Sequence, residues 1–184
     1  MSNTIAFTKI EFLLILISFV YGFCVVDLFD NWGRMLRRNI YYWETIIWSI
    51  ILFLSIAFLW HNAWGNLDRL GQGSLNYILA LLPPIFFFIL TSLLFPDWES
   101  DFSLEAHFLK NRKRFFLTFA GVLLMVLATS NLTSSPKPFI NASRSFFLAG
   151  TLVLAFIDEK RLRLIMAIVG FLWFGYLLTD PYSD

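Results

Sequence analysis

Eight polar or ionisable side chains lie within long apolar stretches or at their edges, where they could do chemistry that apolar residues cannot. They are Glu11, Glu44, Ser55, His61, Asn62, Arg144, Thr151 and Asp158. An ionisable group is costly to bury in an apolar environment, so it usually pairs with an opposite charge, binds an ion or faces water. These eight residues are therefore the candidate site residues.

Spacing close to whole helical turns aligns six of these side chains on two helix faces. The aligned residues are Glu44, Ser55 and Asn62 on the second apolar stretch, and Arg144, Thr151 and Asp158 on the fifth. At about 100° per residue, the first three fall within roughly 40° of one another. Each set therefore predicts a polar stripe along one side of a helix.

Two interpretations of these polar residues are open. In one, they anchor helices at an interface and make ordinary helix–helix contacts. In the other, they line a water-filled path or a ligand cavity. The sharpest structural prediction is an ion pair between Glu11 and Arg144, because both residues are expected at the same end of their helices.

Pro83 and Pro84 lie in the middle of the third apolar stretch and predict a helix break. A proline removes a backbone donor and clashes with the carbonyl four residues earlier, which kinks a helix. Discontinuous helices of this kind form substrate sites in membrane transporters. The alternative is a static kink that only shapes a crevice for bulky neighbours.

Six apolar stretches must position these residues, and each has about the 20 residues that a membrane-spanning helix needs. They cover residues 10–29, 42–64, 75–96, 114–132, 138–157 and 161–180. Only 15% of the chain is charged, whereas a soluble domain carries about 25%. We therefore expect an all-α fold, a compact bundle of six transmembrane helices in a single membrane domain over residues 1–184. Residues 100–113, acidic first and basic last, predict an amphipathic helix on the cytoplasmic surface that runs into the fourth stretch. The alternative is a solvated connector whose arginines bind lipid headgroups.

The basic residues fall mainly in alternate gaps between the stretches. Ten Lys and Arg lie in the first, third and fifth gaps, and four lie on the other side. Loops rich in Lys and Arg stay in the cytoplasm. We therefore expect a multi-pass protein of the cell inner membrane, with both termini outside in the periplasm.

Several function classes lack support in the sequence. There is no phosphate-binding G-x-x-x-x-G-K-[ST] loop and no G-x-S-x-G nucleophile elbow. His61 and His107 stand alone, without the spacing of metal ligands. The net charge of +1 gives no electrostatic footprint for nucleic acid. We therefore expect no enzymatic activity, no cofactor, no metal and no nucleic-acid partner.

Five short segments in the first two thirds of the chain carry a family resemblance. They are G-F-C-V-V-D-L-F-D-N-W-G-R-M-L-R-R at 22–38, W-H-N-A-W at 60–64, L-L-P-P at 81–84, L-F-P-D at 94–97 and A-H-F-L-K-N-R-K-R-F-F at 106–116. Together they resemble a widespread family of uncharacterised bacterial membrane proteins with six spans. The resemblance implies a bacterial inner membrane and a shared six-helix plan. It implies no mechanism, because the family has no assigned activity.

Three functional hypotheses follow. The leading one is a small transporter or channel subunit, in which the polar residues and the proline break line a path for a small solute or ion. The second is a non-transporting subunit, scaffold or sensor that acts through helix contacts with another membrane protein. The third is an intramembrane enzyme that acts on lipid. The expected partners are the lipid bilayer and either another membrane protein or copies of this chain.

Overall fold

The computed structural model describes residues 9–65, 74–98, 103–133 and 138–179. Over these residues the chain forms six helices and no strand, which confirms the all-α prediction. The helices are α1 (Lys9–Arg38), α2 (Trp43–Gly65), α3 (Ser74–Leu94), α4 (Leu104–Thr133), α5 (Pro138–Phe156) and α6 (Lys160–Thr179). Helices α2, α3, α5 and α6 begin and end within two residues of the bounds predicted for their stretches. The last residue of the sixth predicted stretch, residue 180, lies outside the described part of the chain.

Helix α1 runs to Arg38, so the predicted end of the first helix at residue 29 is wrong. The polar residues that follow form bonds within the helix. Arg34 Nε pairs with Asp30 Oδ2 at 2.8 Å, and Asn31 Nδ2 donates to the Asp27 carbonyl at 2.8 Å. Contacts between residues four apart stabilise a helix, and here they extend it through a polar segment.

Asn39 ends α1 in the left-handed conformation, with a φ of 53°. Its backbone N–H donates to the Leu36 carbonyl at 3.3 Å, and the N–H of Ile40 donates to the Met35 carbonyl at 3.2 Å. These two bonds form a Schellman motif, which satisfies carbonyls that the helix end would leave free. The motif turns the chain sharply, so that α2 begins at the same end of the bundle.

Helix α4 is continuous from Leu104 to Thr133, so the described part of the predicted amphipathic helix runs directly into the fourth apolar stretch. The Ser103 hydroxyl accepts a bond from the Ala106 N–H at 3.4 Å, which caps the helix start. Leu104 and Phe108 are buried, whereas Glu105, Leu109 and Lys110 are exposed, so this part of α4 presents one face to the core and one to the surface. Residues 100–102 of the predicted helix lie outside the described part of the chain.

Helix α3 passes through Pro83 and Pro84 without interruption, so the predicted helix break is absent from the structure. Both prolines are buried. Helix α3 packs against α1 and α4, and also against α2. A helix tolerates an internal proline where neighbouring helices support it, and α3 has such support from three helices.

The six helices form a ring in the order α1, α3, α4, α5, α6 and α2, in which each packs against the next and α2 returns to α1. Helix α2 also contacts α3 and α4 across the ring. Contacts between Arg38 and Trp98, between Arg112 and Leu154, and between Arg163 and Glu44 bring the ends of α1, α3 and α5 to the beginnings of α2, α4 and α6. One end of the ring therefore carries the basic residues at 34–38, 110–114 and 160–163, and is named the basic end.

On α2 and α5 the buried side chains are concentrated towards the basic end. Among the described residues they lie between 44 and 56 on α2 and between 151 and 155 on α5. The described side chains of α5 between 141 and 150 include none that is buried. These two helices are therefore packed more tightly at the basic end, whereas α1 has buried side chains from Leu13 to Met35.

Two segments among the described residues are long and apolar enough, by length and composition, to cross a membrane. They are Glu11–Arg38 and Trp43–Trp64, while Ile78–Leu94 is a shorter apolar helix. In their most apolar windows, 28% and 33% of the residues are buried in the bundle. Most of each apolar segment therefore lies outside the protein core.

We expect Gly150→Ala to leave the fold less stable than Gly22→Ala by about 1 kcal/mol or less, because both changes gain helix propensity but only Gly150→Ala must displace a side chain, that of the flexible Met166. The added methyl group would overlap the end of the Met166 side chain, whose sulfur lies 2.9 Å from the new Cβ position. Gly22→Ala is the matched control, because a Cβ there meets nothing within 4 Å. Thermal unfolding in detergent measures both variants. Equal unfolding temperatures would contradict the close contact at Gly150.

Candidate functional site

A buried ion pair joins the start of α2 to the first turn of α6. Glu44 is fully buried, and the Arg163 side chain is 4% exposed. Arg163 Nε donates to Glu44 Oε2 at 2.6 Å, and its Nη2 donates to Oε1 at 3.0 Å. The Tyr42 hydroxyl adds a bond to Oε1 at 2.8 Å. The bidentate geometry and the third donor satisfy a carboxylate that burial would otherwise make very costly.

Asp158 and Arg112 extend this pair to α5 and α4. Asp158 Oδ1 accepts a bond at 2.5 Å from Arg163 Nη1 and lies 3.5 Å from Arg112 Nε. Arg112 Nη1 also donates to the carbonyls of Leu154 and Ile157, at 2.6 and 2.8 Å. A cation at these terminal carbonyls caps α5. The four charged residues, here named the ion network, are Glu44, Arg112, Asp158 and Arg163.

The local sequence explains how the ion network is assembled. Only residues 157–159 join α5 to α6, which brings Asp158 beside Arg163. Arg163 is absent from the residues that the sequence marks as candidates, because it is one of several basic residues in the fifth gap. The signal that could have identified it is the charge balance. Glu44 and Asp158 are expected at the same end of the bundle, and a buried carboxylate needs a cation there.

A cavity of about 80 Å³ lies between α2, α4, α5 and α6. Three of the predicted site residues, Ser55, Arg144 and Thr151, line it together. The Ser55 hydroxyl donates to the Ile51 carbonyl at 2.7 Å, and the Thr151 hydroxyl donates to the Leu148 carbonyl at 2.9 Å. Each hydroxyl oxygen therefore keeps acceptor capacity for a bound molecule or water.

Trp48 lies at the part of the cavity nearest the basic end. Its ring packs edge-on against Phe116, with ring centroids 5.0 Å apart, and also contacts Phe115 and Phe119. Its indole N–H is buried and has no acceptor among the residues that the structure describes. Trp48 follows Glu44 by one helical turn, so its ring lies between the cavity and the ion network.

Arg144 lies at the part of the cavity nearest the opposite end, where α5 begins. It is partly buried, and its Nη1 lies 3.5 Å from the Asn141 side-chain oxygen on the same helix.

The predicted ion pair between Glu11 and Arg144 is wrong for the described structure. Glu11 is exposed on α1, which packs against α2 and α3, whereas α5 packs against α4 and α6.

The remaining predicted residues lie away from the cavity lining. His61 is exposed. Asn62 is partly buried, and its side chain donates to the Phe58 carbonyl at 3.0 Å. Pro83 and Pro84 are buried elsewhere on α3, and Phe87, one turn further along, is the α3 residue that lines the cavity. Among the described residues, no group of three or more His, Cys, Asp or Glu could hold a metal ion.

His107 is a titratable group at the basic end, where α4 packs against the last turn of α3. Its Nε2 lies 3.2 Å from the Leu93 carbonyl oxygen and 3.1 Å from Asn111 Nδ2. Burial lowers the pKa of His107 and outweighs the opposite effect of the Leu93 carbonyl, and Lys110 lowers the pKa further. His107 therefore favours the neutral form in the folded protein.

We expect the fold to lose stability as the pH falls below the ordinary histidine pKa of 6.5, in part through His107. With its pKa lowered, the folded state binds fewer protons than the unfolded chain in this range, so stability rises with pH. His107→Gln should flatten the fall in unfolding temperature between about pH 7.5 and pH 5. His61→Gln is the control for loss of a histidine. An unchanged pH profile in His107→Gln would contradict this role.

We expect Glu44→Leu and Arg163→Leu each to lower the free energy of unfolding by about 3–5 kcal/mol, because each change leaves a buried charge without its partner. The double variant should cost less than the sum of the two single changes. Chemical unfolding in detergent measures all three. Arg34→Leu, which breaks the exposed pair with Asp30, should cost about 1 kcal/mol or less. Additive losses at Glu44 and Arg163 would show that the two charges are not coupled.

Comparisons of the chain with protein-family models, with curated proteins and with solved structures found no match.

Proposed function

We propose that the protein is a multi-pass membrane transporter for a small solute, with the cavity as its binding site and the ion network as its gate. The observation that carries this proposal is that the cavity and the ion network follow one another along the length of the bundle. Ser55, Thr151 and Arg144 are polar residues in the otherwise largely apolar lining of the cavity, and the ion network lies beyond the cavity towards the basic end. A purely structural seal would be expected to use apolar packing, which needs no paired charges.

The surface of the bundle supports a membrane location. Large apolar side chains on α1 are exposed, including Phe19 at 63% and Val26 at 65%. A soluble monomer rarely exposes a continuous apolar patch of this kind, whereas a bilayer solvates it. In this proposal all six helices span the bacterial inner membrane. The positive-inside rule then places the basic end in the cytoplasm and both termini on the other side.

The ion network has the properties of a gate that can open and close. Arg163 is shared between Glu44, which is fully buried, and Asp158, whose side chain is 63% exposed. Asp158 lies on the short connection between α5 and α6, so a shift of these two helices against α2 would separate the charges. Charged clusters with two arrangements are a common basis of switching between states. In this proposal, solute binding between the same helices drives that shift.

Closure at the basic end favours a carrier over a channel. A channel needs a passage that is continuous in its open state. Here Trp48 and the ion network separate the cavity from the basic end. A carrier instead exposes its site to one side at a time, through movement of one part of the bundle against another.

The second candidate function is a non-transporting subunit or scaffold. It is favoured by the exposed aromatic face of α1, where Phe12, Phe19 and Phe23 are between 57% and 63% exposed. Such a face suits helix contacts with another membrane protein as well as lipid. Purification from native membranes distinguishes the two functions, because a subunit should retain a partner in fixed stoichiometry.

Cysteine labelling in membranes of known orientation tests the carrier proposal. In a Cys24→Ala background, Ser55→Cys or Thr151→Cys should react with a membrane-impermeant thiol reagent only from the side opposite the basic end. Asp158→Asn weakens the gate with little loss of folding, because Asp158 is largely exposed. Adding Asp158→Asn to either cysteine variant should make the cysteine react from the basic side as well. Labelling that is equal from both sides without Asp158→Asn, or absent from both, would contradict the proposal.

Two controls make the labelling result specific. Trp64→Cys, at an exposed position in the last turn of α2, should react from the outer side whether or not the gate is weakened. The native Cys24 is buried and its thiol lies 3.8 Å from the Pro84 carbonyl oxygen, so the unmodified protein should react slowly from either side. Fast labelling of native Cys24 would show that the bundle is open to reagent elsewhere.

A further inference from the structure

We infer that the cavity binds a small organic monoanion, a carboxylate with a short apolar tail, and that Arg144 is its counter-ion. This inference rests on the proposed function in taking the cavity as the solute site, and it names the class of solute. Three properties of the cavity support it: the charge at one end, the chemistry of the walls and the enclosed volume.

Arg144 is the single charged residue among the described residues that line the cavity. Among the described residues its polar contact is the neutral Asn141 side chain, at the long distance of 3.5 Å. Hence no carboxylate of the described chain offsets this partly buried cation. A guanidinium binds a carboxylate through two parallel hydrogen bonds, which suits a single negative charge. A doubly charged phosphate would need a second cation, which the cavity lining does not provide.

The walls of the cavity are largely aromatic. They include Phe58, Phe87, Phe119, Phe147, Trp173 and Phe174. Aromatic walls accept an apolar tail, and they also attract organic cations through the faces of their rings. Arg144 would repel such a cation at the entrance. The combination of one arginine with an aromatic wall therefore favours an anion that carries an apolar group.

The size of the cavity limits the length of the tail. Its volume of about 80 Å³ is roughly half of the ~150 Å³ of an engineered cavity that binds benzene. A tail of a few carbon atoms fits, with the carboxylate left at Arg144. Met166 also lines the cavity, and its flexible side chain can adapt to the shape of the tail.

The buried indole of Trp48 gives an independent indication that a polar atom enters the cavity. Its N–H has no acceptor among the described residues, and a buried donor favours an acceptor. Because the carboxylate would lie at Arg144, towards the other end of the cavity, a water molecule beside the apolar tail would supply this acceptor. Trp48 is also a built-in reporter, because its fluorescence should respond when the cavity is filled.

Titration of the purified protein in detergent with hexanoate tests the inference, with tryptophan fluorescence as the signal. Hexanoate should bind saturably and at least ten-fold more tightly than acetate, hexan-1-ol or hexylammonium. Arg144→Gln should weaken hexanoate binding ten-fold or more without changing the response to hexan-1-ol, and Arg144→Lys should restore part of the affinity. Arg161→Gln, which removes an exposed arginine at the basic end, should have no effect.

Specific outcomes would overturn the inference. Equal affinity for hexanoate and hexan-1-ol, or unchanged hexanoate affinity in Arg144→Gln, would exclude Arg144 as the counter-ion. Tight binding of dodecanoate with none of hexanoate would exclude a short tail and indicate a fatty acid from the bilayer. Failure of transport is distinguishable from these results. Hexanoate binding without flux into liposomes would overturn the transporter proposal alone, whereas flux of another solute that hexanoate does not inhibit would overturn this inference alone.

Discussion

The ion pair between Glu44 and Arg163 constrains the rest of the bundle, because neither charge has access to water in which it could remain alone. Separating them would leave a buried charge, which costs about 3–5 kcal/mol. The pair fixes the start of α2 against the start of α6, and Asp158 and Arg112 attach the end of α5 and the first half of α4. The charged contacts therefore hold α4, α5 and α6 against α2 at the basic end.

Two kinds of packing follow from this constraint. At the basic end, aromatic rings such as Phe115 and Phe116 pack tightly around Trp48, next to the fixed charges. The cavity extends from Trp48 away from these charges, between α2, α4, α5 and α6. A molecule bound in the cavity would therefore contact the same helices that the ion network joins.

Periodicity in the sequence predicts well which side chains share a helix face, but it predicts poorly which residue on another helix a side chain will contact. The seven-residue spacing of Arg144 and Thr151 placed both on one face of α5, and both line the cavity, together with Ser55. The same reasoning failed for Glu11 and Arg144, because a shared depth does not make two helices neighbours. It also failed at residue 29, where side-chain bonds extend α1 through a polar segment.

The sequence by itself determined the helical class, the approximate bounds of four helices and the end of the bundle at which the basic residues gather. These properties depend on apolar periodicity and on short connections, which are local along the chain. Only the tertiary structure decided that Arg163 is the partner of Glu44 and that α1 lies away from Arg144. The Glu44–Arg163 contact joins residues 119 positions apart. Which helices become neighbours depends on how their side chains pack across the whole bundle, and no local pattern encodes that order.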